Sequence, residues 1–104
     1  MIVYEVRIEV DAEIAERYHA WLVPHVHEIL ATPGFTGAEL YREDGAEPRP
    51  VFTVRYHLDS REALAAYLRE HAPRFRADAE QQFGGRFHAT RRVMELVREF
   101  GLRG

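Results

Sequence analysis

The chain contains no cysteine in its 104 residues. Neither a disulfide framework nor a thiol nucleophile is therefore available, and a zinc site would need histidine and carboxylate ligands alone. Serine is almost as scarce. Ser60 is the only one, and it stands where a helix begins, a place that suits a cap better than a nucleophile. There is no glycine-rich phosphate loop, because Gly84-Gly85 ends a helical pattern where phosphate binding needs one to begin. Excess positive charge is missing too: the formal net charge of −3 gives no general pull toward nucleic acid or anionic lipid, so neither nucleic acid nor a membrane is expected as a partner. The N-terminal MIVYEVRIEV alternates apolar and charged residues in place of a basic start and a continuous apolar run. No secretory leader is read there, and the cytoplasm is the expected compartment.

What is present describes an ordinary globular chain, 46% hydrophobic and 30% charged, which is too apolar for disorder. It fits one domain over residues 1–104, small enough that a partner surface would add to its stability. Ile2, Tyr4, Val6, Ile8 and Val10 alternate with Val3, Glu5, Arg7 and Glu9, the period of a strand. Asp11 is placed to cap a helix over Ala12 to Ala31, whose apolar residues recur at three and four residue steps until Thr32-Pro33-Gly34. Phe35 to Arg42 and Val51 to Leu58 read as strands joined by a loop with an Asp44-Gly45 turn signal. Asp59 or Ser60 then caps a second helix carrying Leu64, Tyr67, Leu68, His71, Phe75, Ala79 and Phe83 on one side. A last strand runs from Arg86 to about Val93, beyond which Val93, Val97 and Phe100 also fit a short helix. The order β-α-β-β-α-β predicts an α+β, ferredoxin-like fold: a four-stranded antiparallel sheet with two helices on one face.

The other face is left open. Alternation sends Glu5, Arg7, Glu39, Tyr41, Thr53, Arg55 and His57 outward, a mix of both charge signs with aromatic area. A solvated face is one reading. The other is a sheet-to-sheet dimer interface in which Glu5, Arg7, Glu39 and Arg55 pair within or across subunits, favouring register more than strength. Of Arg91 and Arg92, at most one can join that face.

Two histidines are the candidate site. Taking Leu22 as the inward reference, a 100° turn per residue puts His25 within about 60° of it and His27 about 140° away. His71 lies four residues from both Tyr67 and Phe75, on the buried stripe of the second helix. Each histidine has a proline nearby, Pro24 or Pro73, that removes a helical hydrogen bond to the carbonyl of Ala20 or Arg69. Structurally, the rings would donate to those freed carbonyls. Functionally, His25 or His71 would be the proton acceptor or donor and the candidate catalytic group. Tyr56 and Tyr67 would then donate hydrogen bonds and Trp21 would form an apolar wall, a pocket for an aromatic or carbonyl compound. A metal set of His25, Glu28 and His71 is weaker, lacking further oriented ligands, so no metal and no cofactor is expected.

The strings MIVYEVRIEVDAEIAE, YHAWLVPHVHEILATPGF and YLREHAPRFRADAEQQFGGRFHATRRV resemble a family of small bacterial proteins of unknown function in the dimeric α/β-barrel group. Trp21 with His25, the Glu28 to Thr32 run, the Glu70-His71-Ala72-Pro73 string, Phe83, Arg91 and Arg92 carry most of the likeness. The family pattern leads us to expect proline at His27, whereas here Pro24 comes earlier. The resemblance implies a homodimer whose open sheet faces meet. The wider superfamily includes cofactor-independent monooxygenases and haem-binding or haem-degrading proteins, and a fold shared by so many activities chooses none of them. The expectation is thus a homodimeric α/β barrel binding a small organic ligand. The alternatives are a structural or interaction dimer without chemistry and, more remotely, a monooxygenase-like or haem-related enzyme.

Overall fold

The computed structural model describes residues 1–101; the last three of the expected 1–104 domain lie outside the described residues. Strand β1 (Ile2–Val10), helix α1 (Ala15–Leu30), strands β2 (Phe35–Arg42) and β3 (Val51–Leu58), helices α2 (Arg61–Glu70) and α3 (Ala72–Phe83) and strand β4 (Phe87–Glu95) follow in order. The sheet runs β2-β3-β1-β4 with every neighbouring pair antiparallel. This is the ferredoxin-like α+β fold, each split β-α-β unit enclosing a strand of the other.

Among the described residues three α-helices occur where two were expected, and the difference lies at His71. There the second helix breaks, and Pro73 enters the first turn of α3, where its missing N–H leaves no bond unmade. The His71 carbonyl accepts from the Arg74 and Phe75 amides and so starts the new helix. Pro24 behaves differently, for α1 continues through it. Pro24 and Ala20 are both exposed, so the carbonyl it frees faces solvent and needs no histidine donor.

Ser60 is the expected cap, its hydroxyl accepting from the Ala63 amide. Asp11 is not. Its carboxylate instead accepts from Arg49 at 2.6 Å and Arg86 at 2.7 Å, and Ala12–Ile14 forms a 3-10 turn ahead of α1. Two charge-assisted bonds outcompete one backbone amide. The last strand continues to Glu95, and the helix considered for Val93 to Phe100 does not form. Gly34 is fixed by two requirements at once: its φ is +94°, and a Cβ there would stand 2.5 Å from the Ala63 Cβ where α2 begins.

Alternation holds across the sheet. Ile2, Tyr4, Ile8, Phe52, Val54, Tyr56 and Leu58 are buried beneath the helices with Tyr18, Leu22, Ile29, Tyr67 and Phe75. On the open face Glu5 is only 7% exposed, and accepts from Arg55 Nε at 2.8 Å and Arg92 Nε at 2.7 Å. The Arg92 guanidinium, together with Arg55, holds the Glu5 carboxyl below the usual carboxylate range against the opposing effect of burial. Arg7 pairs with Glu9 and Glu43, and Glu39 with His57. Of the four residues expected to pair on this face, Glu5 and Arg55 pair with each other within one chain, whereas Arg7 and Glu39 take other partners.

Candidate functional site

Between the sheet and the helices lies a cavity of about 60 Å³. Because a water molecule takes roughly 30 Å³ of liquid volume, it has room for a few waters only. Every layer contributes to it. Tyr4 and Tyr56 come from the adjacent central strands, paired in register, Tyr18 and His25 from α1, Tyr67 from α2, Phe75 and Arg76 from α3, and Arg91 from β4. The rest of its lining is apolar, and no carboxylate is among its residues.

The tyrosines form a packed aromatic set. The Tyr4 ring centre lies 6.1 Å from that of Tyr56 and 6.2 Å from that of Tyr67, while Phe35 stands edge-on to Tyr56 and Tyr67. Burial pushes the Tyr18 and Tyr67 hydroxyls up to about 12 and raises Tyr56 further still. At neutral pH these three phenols are hydrogen-bond donors, not phenolates. Burial lowers the His25 pKa below 6.5, with Glu28 and Asp78 opposing, so the ring is neutral at pH 7 and offers one donor and one acceptor nitrogen.

The five residues expected at the site are not all brought together. His25, Tyr56 and Tyr67 line the cavity. Trp21 stands behind it, stacked on His25 with ring centres 4.3 Å apart and edge-on to Phe83. His71 is outside, stacked 6.4 Å from Tyr67 at the break between α2 and α3. The two histidines are separated by Phe75, which meets His25 edge-on at 5.4 Å and stacks on Tyr67. Ending α2 at Glu70 turns His71 into a junction residue, where a continuous helix would have kept it on the stripe. His27 is exposed, as helical phase requires. No group of three histidine, cysteine, aspartate or glutamate side chains among the described residues could hold a metal, so His25, Glu28 and His71 do not assemble.

Sequence reasoning missed Tyr4, Tyr18, Arg76 and Arg91 as lining residues. The tyrosines read as core. Arg76 sits about 40° from Ala72 and about 60° from Ala79 in helical phase, at the margin of the buried stripe. Arg91 was in principle deducible: if only one of Arg91 and Arg92 faces outward, the other must face the helices.

Residues 1–97 match the family described as a domain of unknown function, DUF4286. The chain belongs to that family. No curated protein matches this DUF4286 chain. Among solved structures, it is similar to the haem degrader MhuD from Mycobacterium tuberculosis, determined with two haems bound in its active site: 26% identity, 97% of this chain and 100% of that one covered, TM-score 0.72. The cofactor-independent oxygenase SnoaB from Streptomyces nogalater aligns at 15% identity, 95% and 94% coverage and TM-score 0.72. An ethyl tert-butyl ether D (EthD) family protein from Bacillus halodurans aligns at 17% identity, 91% and 98% coverage and TM-score 0.68. These last two likenesses are of fold alone. No helix among the described residues is long and apolar enough to cross a membrane.

Proposed function

We propose that this DUF4286 protein is a homodimer that binds a small aromatic or carbonyl-bearing organic molecule between its sheet and its helices. The observation that carries this reading is the convergence of neutral phenols and a neutral histidine on one apolar cavity. Apolar walls with a few directed polar groups are the usual make-up of a small-molecule site. Tyr56 and Tyr67 would donate to a carbonyl or phenol oxygen of the ligand. His25 would hold or move a proton, and Trp21 would keep its ring in place. The likeness to a protein determined with haem in its active site favours a planar aromatic ligand.

About 60 Å³ is below the roughly 150 Å³ that holds a benzene ring, so even a naphthol needs the space to widen and a porphyrin far more so, and His71 stands apart. Haem is therefore a second reading that requires α1 and α3 to separate from the sheet. For the dimer, support comes from the open face: the described α-helices pack on the other side, and Glu5 with its arginines forms an ordered polar surface there. Residues 1–104 would make up one domain of each protomer.

A thermal-shift screen with naphthols, hydroxyquinones and haem tests the ligand reading, on wild type, His25→Ala and Tyr56→Phe. At ten times Kd, binding adds about 1.4 kcal/mol, a rise on the order of 5–10 °C for a chain this size. The expected outcome is such a rise, reduced in both variants. No rise across the panel would leave the purely structural dimer.

A further inference from the structure

The inner cavity shares a wall with a second hollow of about 270 Å³ at the surface between α3 and β4. Arg76, Ala79, Phe87, Ala89 and Arg91 line both, so the two spaces meet at the two arginines. Together they reach the lower end of the ~300–1,000 Å³ range of small-molecule sites, which neither inner nor outer space attains alone. Neither arginine is committed to a carboxylate among the described residues. Arg76 donates to the Tyr4 hydroxyl at 3.4 Å, a long bond to a neutral partner. Arg55 and Arg92, on the opposite face, both close on Glu5. Glu80 is the one carboxylate on the outer hollow, beside His88. Its Oε1 lies 2.9 Å from where a Cβ of Gly84 would stand, folded back against the helix end.

The inner cavity and its boundary are therefore donor-rich and positively charged, with no carboxylate in the inner lining and Glu80 alone on the outer hollow. Resting on the ligand reading above, we propose that the bound molecule is itself an acid, with an aromatic body lying across the outer hollow and the mouth of the tyrosine-lined cavity and a carboxylate held at the boundary by Arg76 and Arg91. Guanidinium suits this task because its planar fork matches a carboxylate with two parallel bonds. Both arginines are exposed at this boundary, so their charge is open to an incoming anion and is screened by salt. The charge of Arg91 acts on the hydroxyls of Tyr18, Tyr56 and Tyr67, opposing the larger effect of burial on each, so its field spans the inner cavity.

Isothermal titration of the full chain with 2-naphthoate and 2-naphthamide, which differ at the acidic group, tests this. Naphthoate is expected to bind about ten-fold tighter, the order of one charge-assisted contact. In Arg76→Gln with Arg91→Gln the two affinities should converge, through loss of naphthoate binding and with naphthamide unchanged. Independently of any variant, raising NaCl from 50 to 500 mM should weaken naphthoate and spare naphthamide. Equal wild-type affinities for the two compounds would overturn the acid assignment and leave the cavity reading standing. Binding of neither would overturn both.

Discussion

Arg91 and Arg92 are neighbours in sequence that serve opposite faces of the sheet: Arg92 Nε donates to Glu5 at 2.7 Å on the open face, while Arg91 lines the cavity under the helices. The period of two in a strand does this without further design. One residue lies on the open face and the other lines the cavity, so their substitutions should separate. Arg92→Gln should lower stability, by about 1–3 kcal/mol, because it strips a bond from a buried carboxylate. Arg91→Gln should leave the free energy of unfolding within ~0.5 kcal/mol of wild type and change ligand affinity only. Urea melts of the two variants check this, and equal destabilisation would contradict it.

Glu5 also predicts an acid limb. Its folded pKa lies below its ordinary value near 4.5, so the folded state binds fewer protons than the unfolded state in that range. The stabilisation is fully present above about 4.5 and is lost as pH falls through the folded pKa. Glu5→Gln should flatten that part of the stability profile. An unchanged acid limb in thermal melts between pH 6 and pH 3 would count against the ion-pair account.

His25 acts in a higher window. Burial depresses its pKa from 6.5, so the unfolded chain takes up the proton first and stability declines as pH drops below 6.5. Replacing the ring with a non-titrating amide, His25→Gln, should remove this component between pH 7 and pH 5, even if the variant starts lower. A decline of the same slope in the variant would assign it to another group.

Much of this architecture was legible because one face of each element is apolar. The period of two in β1 and β3 and the three-four spacing of α1 fixed element order, inward faces and the exclusion of His27. The break at His71 was hidden because the apolar stripe runs through it unbroken from Tyr67 to Phe75, and only the geometry of Pro73 divides it. Asp11 misled for a related reason: its arginine partners, Arg49 and Arg86, lie 38 and 75 residues away in sequence. Of the cavity, His25, Tyr56 and Tyr67 were legible but the full lining was not, since Tyr4 and Tyr18 satisfy the same apolar pattern whether they fill a core or surround a space.

Gly34 gives a prediction free of any ligand. Gly34→Ala forces a side chain onto a φ of +94° and against Ala63, which should cost at least roughly 1–3 kcal/mol. Its thermal midpoint should fall clearly, whereas Gly45→Ala, with open space around it, should lose less. Equal losses would show that the contact with α2 is not limiting.

The open face makes a claim about mass. Light scattering at micromolar concentration should return twice the 12.1 kDa of one chain. Arg55→Glu, which sets a second acid against Glu5, should shift that mass toward the monomer. A monomeric wild type would contradict the dimer.

The central claim is that a small molecule occupies the space between sheet and helices, and Ala89 offers its most direct test. Ala89 lines both the inner cavity and the outer hollow. Ala89→Val adds two carbons to a cavity of about 60 Å³, a change expected to hold or raise stability, by up to about 1.5 kcal/mol. Titration of 2-naphthoate into wild type and Ala89→Val, with Trp21 fluorescence as the signal, should show saturable binding that the valine weakens at least about ten-fold while the fold is retained. Undiminished affinity in a stably folded Ala89→Val would place the ligand elsewhere and contradict the account.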